Sequence, residues 1–328
     1  LKSQLTFPIG IRMANYKFLG VGGAHIDRRG FIADSFVPGV SNPGKIREEA
    51  GGAVLNALRT IANLGHETNI ISAIGGDNAG RQIVAIMREA RIGDHCAVFL
   101  DRATASYTAL IDPSGALIAG LADMEIYEIG LNRHMRSRSV RDLAADADAI
   151  LFDANIPSDG IEYLFKASAG KPLYAIAVSP AKAVRLKPFL PRIKAIFMNR
   201  AEALALTGLP DEAGTADCID ALRAAGLQSG MITDGANSLA GFDRNVTLEL
   251  LPPQAPEIAD VTGAGDALAA AAAVAFTSGK PLGDAMREGT AAAIAAISSP
   301  SAVPSLDNKT LERVAATVET PRTLARTN

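Results

Sequence analysis

The stretch Asp260-Val261-Thr262-Gly263-Ala264-Gly265-Asp266, run directly into the Ala-rich segment 267–276, constrains this chain more than any other. Ala is the best helix former, so the spacing predicts a buried helix over 267–276. The Gly-Ala-Gly run then falls at the helix N-terminus, where free backbone N–H groups and the positive dipole end attract an anion, typically a phosphate. Small residues let that phosphate approach the backbone closely. Asp266 stands at the same place with no cation beside it in sequence. A carboxylate next to a phosphate cradle is what phosphoryl transfer to a hydroxyl requires: a base for the incoming oxygen and an anion hole for the moving group. The plain alternative is a Gly-containing turn before a core helix, because short Gly motifs recur without function.

The rest of the chain alternates two patterns. Apolar runs at 16–21, 70–74, 149–152, 173–178, 195–198 and 231–233 read as buried parallel strands, and 80–91 as an amphipathic helix between two of them. Such alternation predicts a parallel sheet covered by helices on both faces. Segments 28–48 and 104–120 differ. They carry polar–apolar alternation, Asn42-Pro43-Gly44 and Asp112-Pro113-Ser114-Gly115, and read as short antiparallel strands joined by turns. The expected organisation is an α/β core over 1–27, 49–103 and 121–328, with a small β lid inserted at 28–48 and 104–120. Asp27 follows the first strand, at the edge where open α/β sheets hold ligands. A dinucleotide-binding fold is the rival, but Gly20, Gly22 and Gly23 lack the G-x-G-x-x-G spacing.

Composition excludes several classes. A chain of 328 residues that is 48% hydrophobic can bury a large core, and a net charge of −3 offers no general basic field for nucleic acid. Cys96 and Cys218 form neither a disulfide framework nor a zinc motif. No apolar run reaches the roughly 18 residues of a membrane span, and no signal peptide is evident, so a cytoplasmic protein without membrane attachment is expected. Walker and Gly-x-Ser-x-Gly motifs are absent. His25, His66, His95 and His134 lack metal-ligand spacing, although His25 sits two residues before Asp27.

The stretch 260–266 resembles the C-terminal signature of the ribokinase-like, or PfkB, family of carbohydrate and nucleoside kinases, with Leu268 where an aromatic residue is usual. Ala50-Gly51-Gly52-Ala53-Val54-Leu55-Asn56, with Gly65 and Gly75 downstream, resembles its N-terminal signature. The resemblance implies a three-layer α/β/α fold with a mostly parallel sheet. It implies Asp266 as catalytic base and Gly263, Ala264 and Gly265 as anion hole. It places a sugar between Asp27, Gly51, Gly52 and Asn56. ATP and Mg²⁺ are the implied cofactors. Asn199, Thr233 and Gly235 fall on the nucleotide side, and Glu202 of Asn199-Arg200-Ala201-Glu202 reaches Mg²⁺ through water. Asp260 and Thr262 sit where many relatives hold a monovalent cation such as K⁺.

Other stretches bear on the acceptor: Ser41-Asn42-Pro43-Gly44-Lys45, residues 122–127, Asp153-Ala154-Asn155 and residues 178–183. Together they resemble the pseudouridine kinases of the family more than its ribokinases or fructokinases. The resemblance adds Asn42, Lys45 and Asn155 as substrate contacts and implies phosphorylation of a ribose 5′-hydroxyl. Ribokinase, another sugar or nucleoside kinase, and a non-catalytic sensor that kept the fold stay open as alternatives. The small-molecule substrate is the expected partner. Exposed lid edges also make a homodimer through the lid an expectation.

Overall fold

The computed structural model describes residues 15–254, 261–299 and 301–324. Of the residues singled out above, Asp260 lies outside them. Among the described residues, ten strands form the central sheet. In spatial order they are Gly93–Asp94, Glu67–Ile71, Lys17–Val21, Ala149–Asp153, Leu173–Ile176, Ala195–Asn199, Gly230–Thr233, Leu239–Phe242, Thr247–Leu250 and Arg322–Thr323. The first seven pair in parallel and the last three antiparallel.

Period-2 alternation divides the apolar side chains between two cores. Phe18, Ala149 and Leu151 point to one face, against Ala53–Asn63, Ala264–Thr277 and Leu282–Ile297. Leu19, Val21, Ile150 and Phe152 point to the other, against Glu125–His134, Ser158–Ala167 and Arg200–Thr207. Strands buried on both sides read as continuous apolar runs, which is why the sequence exposes them. The result is the expected three-layer α/β/α sandwich.

The Ala-rich helix is found as Ala264–Thr277, with residues 267–275 all buried. Its small side chains let Leu282–Ile297 pack closely: a Cβ on Gly289 would stand 3.1 Å from Leu268. The run expected as one strand over 70–74 splits into Glu67–Ile71 and Ala73–Gly75, the latter paired with Ala97–Phe99. The break is at Ser72, whose hydroxyl donates to the Gly22 carbonyl at 2.6 Å.

A second sheet of four strands, in the order Gly44–Gly51, His25–Ile32, Ser106–Ile111 and Leu117–Asp123, stands over the carboxyl edge of the large one. Arg29 crosses the gap, donating to Thr262 Oγ1 at 3.4 Å and to Glu49 Oε2 at 2.8 Å. Among the described residues no helix is long and apolar enough to cross a membrane.

Candidate active site

The carboxyl ends of adjacent parallel strands converge on one cleft. Strand Lys17–Val21 delivers Gly22 and Gly23, strand Ala149–Asp153 delivers Asp153 and Asn155, and the helix start at 263–266 closes the side. Gly263 takes φ 79°, and a Cβ there would stand 2.2 Å from the Ala302 carbonyl oxygen, so only glycine fits. Ala264, Gly265 and Asp266 then form the first helical turn, whose N–H groups have no partner within the helix. A Cβ built on Gly265 meets nothing within 4 Å, so its side of the turn faces open space.

Asp266 lies at the bottom of this cleft. Asn56 Nδ2, from helix Ala53–Asn63, donates to Asp266 Oδ2 at 3.0 Å. Burial pushes the Asp266 carboxyl up to about 7; the Asn56 bond opposes the rise, and the charges of Asp153 and Asp27 add to it. Three carboxylates in one desolvated place favour holding a proton, which tunes the group toward neutral pH. The other Asn56 amide atom, Oδ1, is buried without a partner among the described residues.

The opposite wall is largely backbone. A Cβ on Gly51 would lie 2.0 Å from Asp27 Oδ2, and one on Gly52, at φ 112°, 2.2 Å from the Gly23 carbonyl. Asp27 is held by His25, whose Nε2 stands 3.2 Å from Asp27 Oδ1. The buried Tyr127 hydroxyl accepts from Ala24 N–H at 2.9 Å and lies 3.3 Å from His25 Nδ1. Nδ1 is thus the ring nitrogen that faces Tyr127, and Nε2 the one that faces Asp27. Asp153 is fully buried and accepts from Gly23 N–H and Asn155 N–H, both at 2.9 Å.

Farther along the sheet edge, Asn199 and Glu202 form a capping box. Asn199 accepts from Glu202 N–H at 2.9 Å, and Glu202 Oε2 accepts from Asn199 N–H at 2.8 Å. Burial pushes the Glu202 carboxyl up, against that bond. One carboxylate oxygen is thus committed to the cap. Among the described residues no three His, Cys, Asp or Glu are grouped to hold a metal ion. That fits Mg²⁺ carried by nucleotide oxygens and water rather than by a protein cage. Thr233 donates to the Met198 carbonyl at 3.4 Å, and Gly235 turns the chain beyond it at φ 59°.

The structure thus gathers Asp27, Gly51, Gly52, Asn56, Asn155 and residues 263–266 around one cleft, with Asn199, Glu202, Thr233 and Gly235 along the same sheet edge. Asn42 is placed differently. Its side chain accepts from Val37 N–H at 2.8 Å and donates to the Val37 and Val40 carbonyls, so it closes its own turn. Lys45 is exposed and pairs opposite Phe31, at the outer end of the small sheet. Asp153, Tyr127 and Lys182 also lie here; they fall within the stretches 153–155, 122–127 and 178–183 that bear on the acceptor, without being named there as contacts. Asp153 had a local signal, as an acid directly after the apolar run 149–152.

The family model for pfkB family carbohydrate kinases matches residues 19–309. The pseudouridine kinase of Escherichia coli K12 is 27% identical over 273 residues, which are 81% of this chain and 86% of that protein. A carbohydrate kinase structure from Agrobacterium tumefaciens is 42% identical with a TM-score of 0.82, covering 94% of this chain and all of that one. Arabidopsis thaliana ribokinase, solved with ribose and ATP, shares the fold at a TM-score of 0.80 and 22% identity, over 92% of this chain and 99% of that one. The chain belongs to the pfkB family of carbohydrate kinases, as an ATP-dependent kinase of sugars or nucleosides.

Proposed function

We propose that the protein transfers the γ-phosphoryl group of ATP to the ribose 5′-hydroxyl of pseudouridine. The observation that carries the reading is Asp266: a carboxylate held by Asn56, pushed up to about 7, in the first turn of a helix whose leading N–H groups have no partner within the helix. Asp27, Gly52 and Asn56 hold the ribose. Asp266 accepts the hydroxyl proton as the oxygen attacks. The N–H groups of residues 263–265 stabilise charge on the transferred group. Mg²⁺, bound with ATP and reached from Glu202 through water, supplies charge neutralisation on the phosphate oxygens. Thr262 and Asp260 are proposed to hold a monovalent cation beside the anion hole. The small sheet acts as a lid that excludes water.

The choice of acceptor rests on the resemblance in four segments and on the likeness to the E. coli pseudouridine kinase. ADP release from Mg-ATP with pseudouridine, uridine, adenosine, ribose and fructose in parallel tests it. A strong preference for pseudouridine supports the reading. Preference for ribose or a hexose keeps the chemistry and discards the acceptor. No turnover with any of them points to an acceptor outside this set or to a binding role.

We also propose a homodimer through the lid. Ile46, Leu110 and Leu121 lie on the face of the small sheet turned away from Asp27, by the strand register. Their exposures of 74%, 37% and 71% make an apolar surface that a second copy would cover.

A further inference from the structure

The turn that leads into helix Ala264–Thr277 is weakly held by its own residues. The helix begins at Gly263 with no side-chain cap on its first N–H groups, and a glycine has no side chain to supply one. The turn before it closes on a long bond, from Ala264 N–H to the Val261 carbonyl at 3.4 Å, and Val261 is 67% exposed. Other parts of the fold therefore have to fix it. Gly263 packs against the Ala302 carbonyl. A second hold comes from the small sheet, where Arg29 Nη1 donates to Thr262 Oγ1, one residue before Gly263.

Arg29 is itself fixed in place. It stands two residues beyond Asp27 in strand His25–Ile32, so the two side chains share one face of that strand. Its Nη2 donates to Glu49 Oε2 at 2.8 Å, and its side chain is 15% exposed. Glu49 pairs opposite Asp27 in the strand register and lies two residues before Gly51, which abuts the Asp27 carboxylate. A guanidinium is a rigid planar fork, so an ion pair on one arm sets the direction of the other. Here one arm is tied to the wall around Asp27 and the other reaches the turn at 262. The chain Glu49–Arg29–Thr262 thus joins the place of the acceptor to the place of the transferred phosphate, without either ligand being bound.

We propose that Arg29 is a positioning residue for phosphoryl transfer: through Thr262 it holds the turn that presents the N–H groups of residues 263–265, so the anion hole is complete only when the small sheet is seated. Arg29 acts through the turn and does not touch the phosphate. The proposal deepens the reading of this helix start as an anion hole and rests on it.

Two measurements test it. Hydrogen exchange on the ligand-free protein follows the Ala264 and Ala267 amides, which bond to the Val261 and Gly263 carbonyls. Arg29→Gln and Thr262→Val should each speed their exchange about 10-fold, the protection lost with one hydrogen bond to a charged group. Thr262→Ser, which keeps the hydroxyl, should stay near wild type. Unchanged exchange in either Arg29→Gln or Thr262→Val overturns the proposal. Calorimetry then compares Mg-ADP with Mg-AMP-PNP, an ATP analogue that is not hydrolysed. Arg29→Gln should weaken AMP-PNP about 10-fold and leave ADP nearly unchanged. Thr262→Val should do the same, and the double variant should lose no more than either alone. An equal loss for both nucleotides means general damage and overturns the proposal. So does a loss in Arg29→Gln that Thr262→Val does not share, which would make Arg29 a direct phosphate ligand. Faster exchange in both variants, with a wild type that binds the two nucleotides equally, would defeat the anion-hole reading and leave the hold of Arg29 on the turn standing.

Discussion

Asn56 Nδ2 donates to Asp266 Oδ2 across 3.0 Å, joining helix Ala53–Asn63 to the first turn of helix Ala264–Thr277 over a separation of 210 residues. One amide thus orients the carboxylate proposed as the base. Replacing Asp266 with Asn preserves shape and removes basicity. Turnover should fall about 10²- to 10⁴-fold, with acceptor affinity nearly unchanged. Steady-state kinetics with calorimetric binding checks this, and near-wild-type turnover would end the assignment.

The pH profile should carry the signature of the site. With Asp266 at about 7 in the free enzyme, kcat/KM should rise as pH passes through that value. The Asp27 charge raises the Asp266 carboxyl, so Asp27→Asn should move the acid limb to lower pH. The Asn56 bond lowers it, so Asn56→Ala should move the limb upward. Opposite displacements in rate profiles from pH 5 to 9 are the expected result; a limb fixed in both variants would mean that another group titrates.

Stability should respond to the same group. Its folded value of about 7 lies above the ordinary Asp value of about 4. The native state therefore binds the proton more tightly than the unfolded chain. That contribution is complete below about pH 4 and is lost as pH rises through 7. Asp266→Asn, neutral throughout, should be more stable than wild type at pH 8, by about 1–3 kcal/mol, with the advantage gone below about pH 4. Urea titrations at the two pH values measure it.

Gly263 and Gly265 should part company. Gly263→Ala forces a Cβ onto the Ala302 carbonyl at a positive φ and should lower both the melting temperature and turnover. Gly265→Ala enters open space within a helix and should leave stability intact. A raised KM for ATP in Gly265→Ala would report crowding of the phosphate; an unchanged KM would remove this residue from the anion hole.

The proposed dimer makes its own prediction. Ile46→Lys with Leu121→Glu should yield monomers by analytical ultracentrifugation if the wild type sediments as a dimer. A wild type that is monomeric at high concentration would remove the proposal.

Much of the fold was legible because strands buried on both faces leave unbroken apolar runs, as at 149–152 and 195–198. The helix start at 263–266 was legible for the same local reason: glycine and alanine declare a close approach. What escaped depends on distance in the chain. Tyr127 reaches His25 over 102 residues and Lys182 reaches Asn155 over 27, and the stretches that hold them do not show which partner each finds. The antiparallel strands Leu239–Phe242 and Thr247–Leu250 escaped for another reason, since four residues are too few to establish a period. Asn42 shows the limit of composition. A polar side chain beside Pro-Gly can serve a ligand or its own turn, and only the fold shows that it bonds Val37 and Val40.

The glycines around Asp27 and Asp153 have a consequence for how this site can change. At 22, 23, 51 and 52 a single added carbon would strike a carboxylate, an amide or the main chain. This backbone wall of the cleft is therefore close to immutable. Change toward new acceptors has to proceed where side chains rather than bare backbone line the cleft. A laboratory effort to retarget the enzyme would gain most by varying the inward face of the small sheet, and would lose the protein by varying these four glycines.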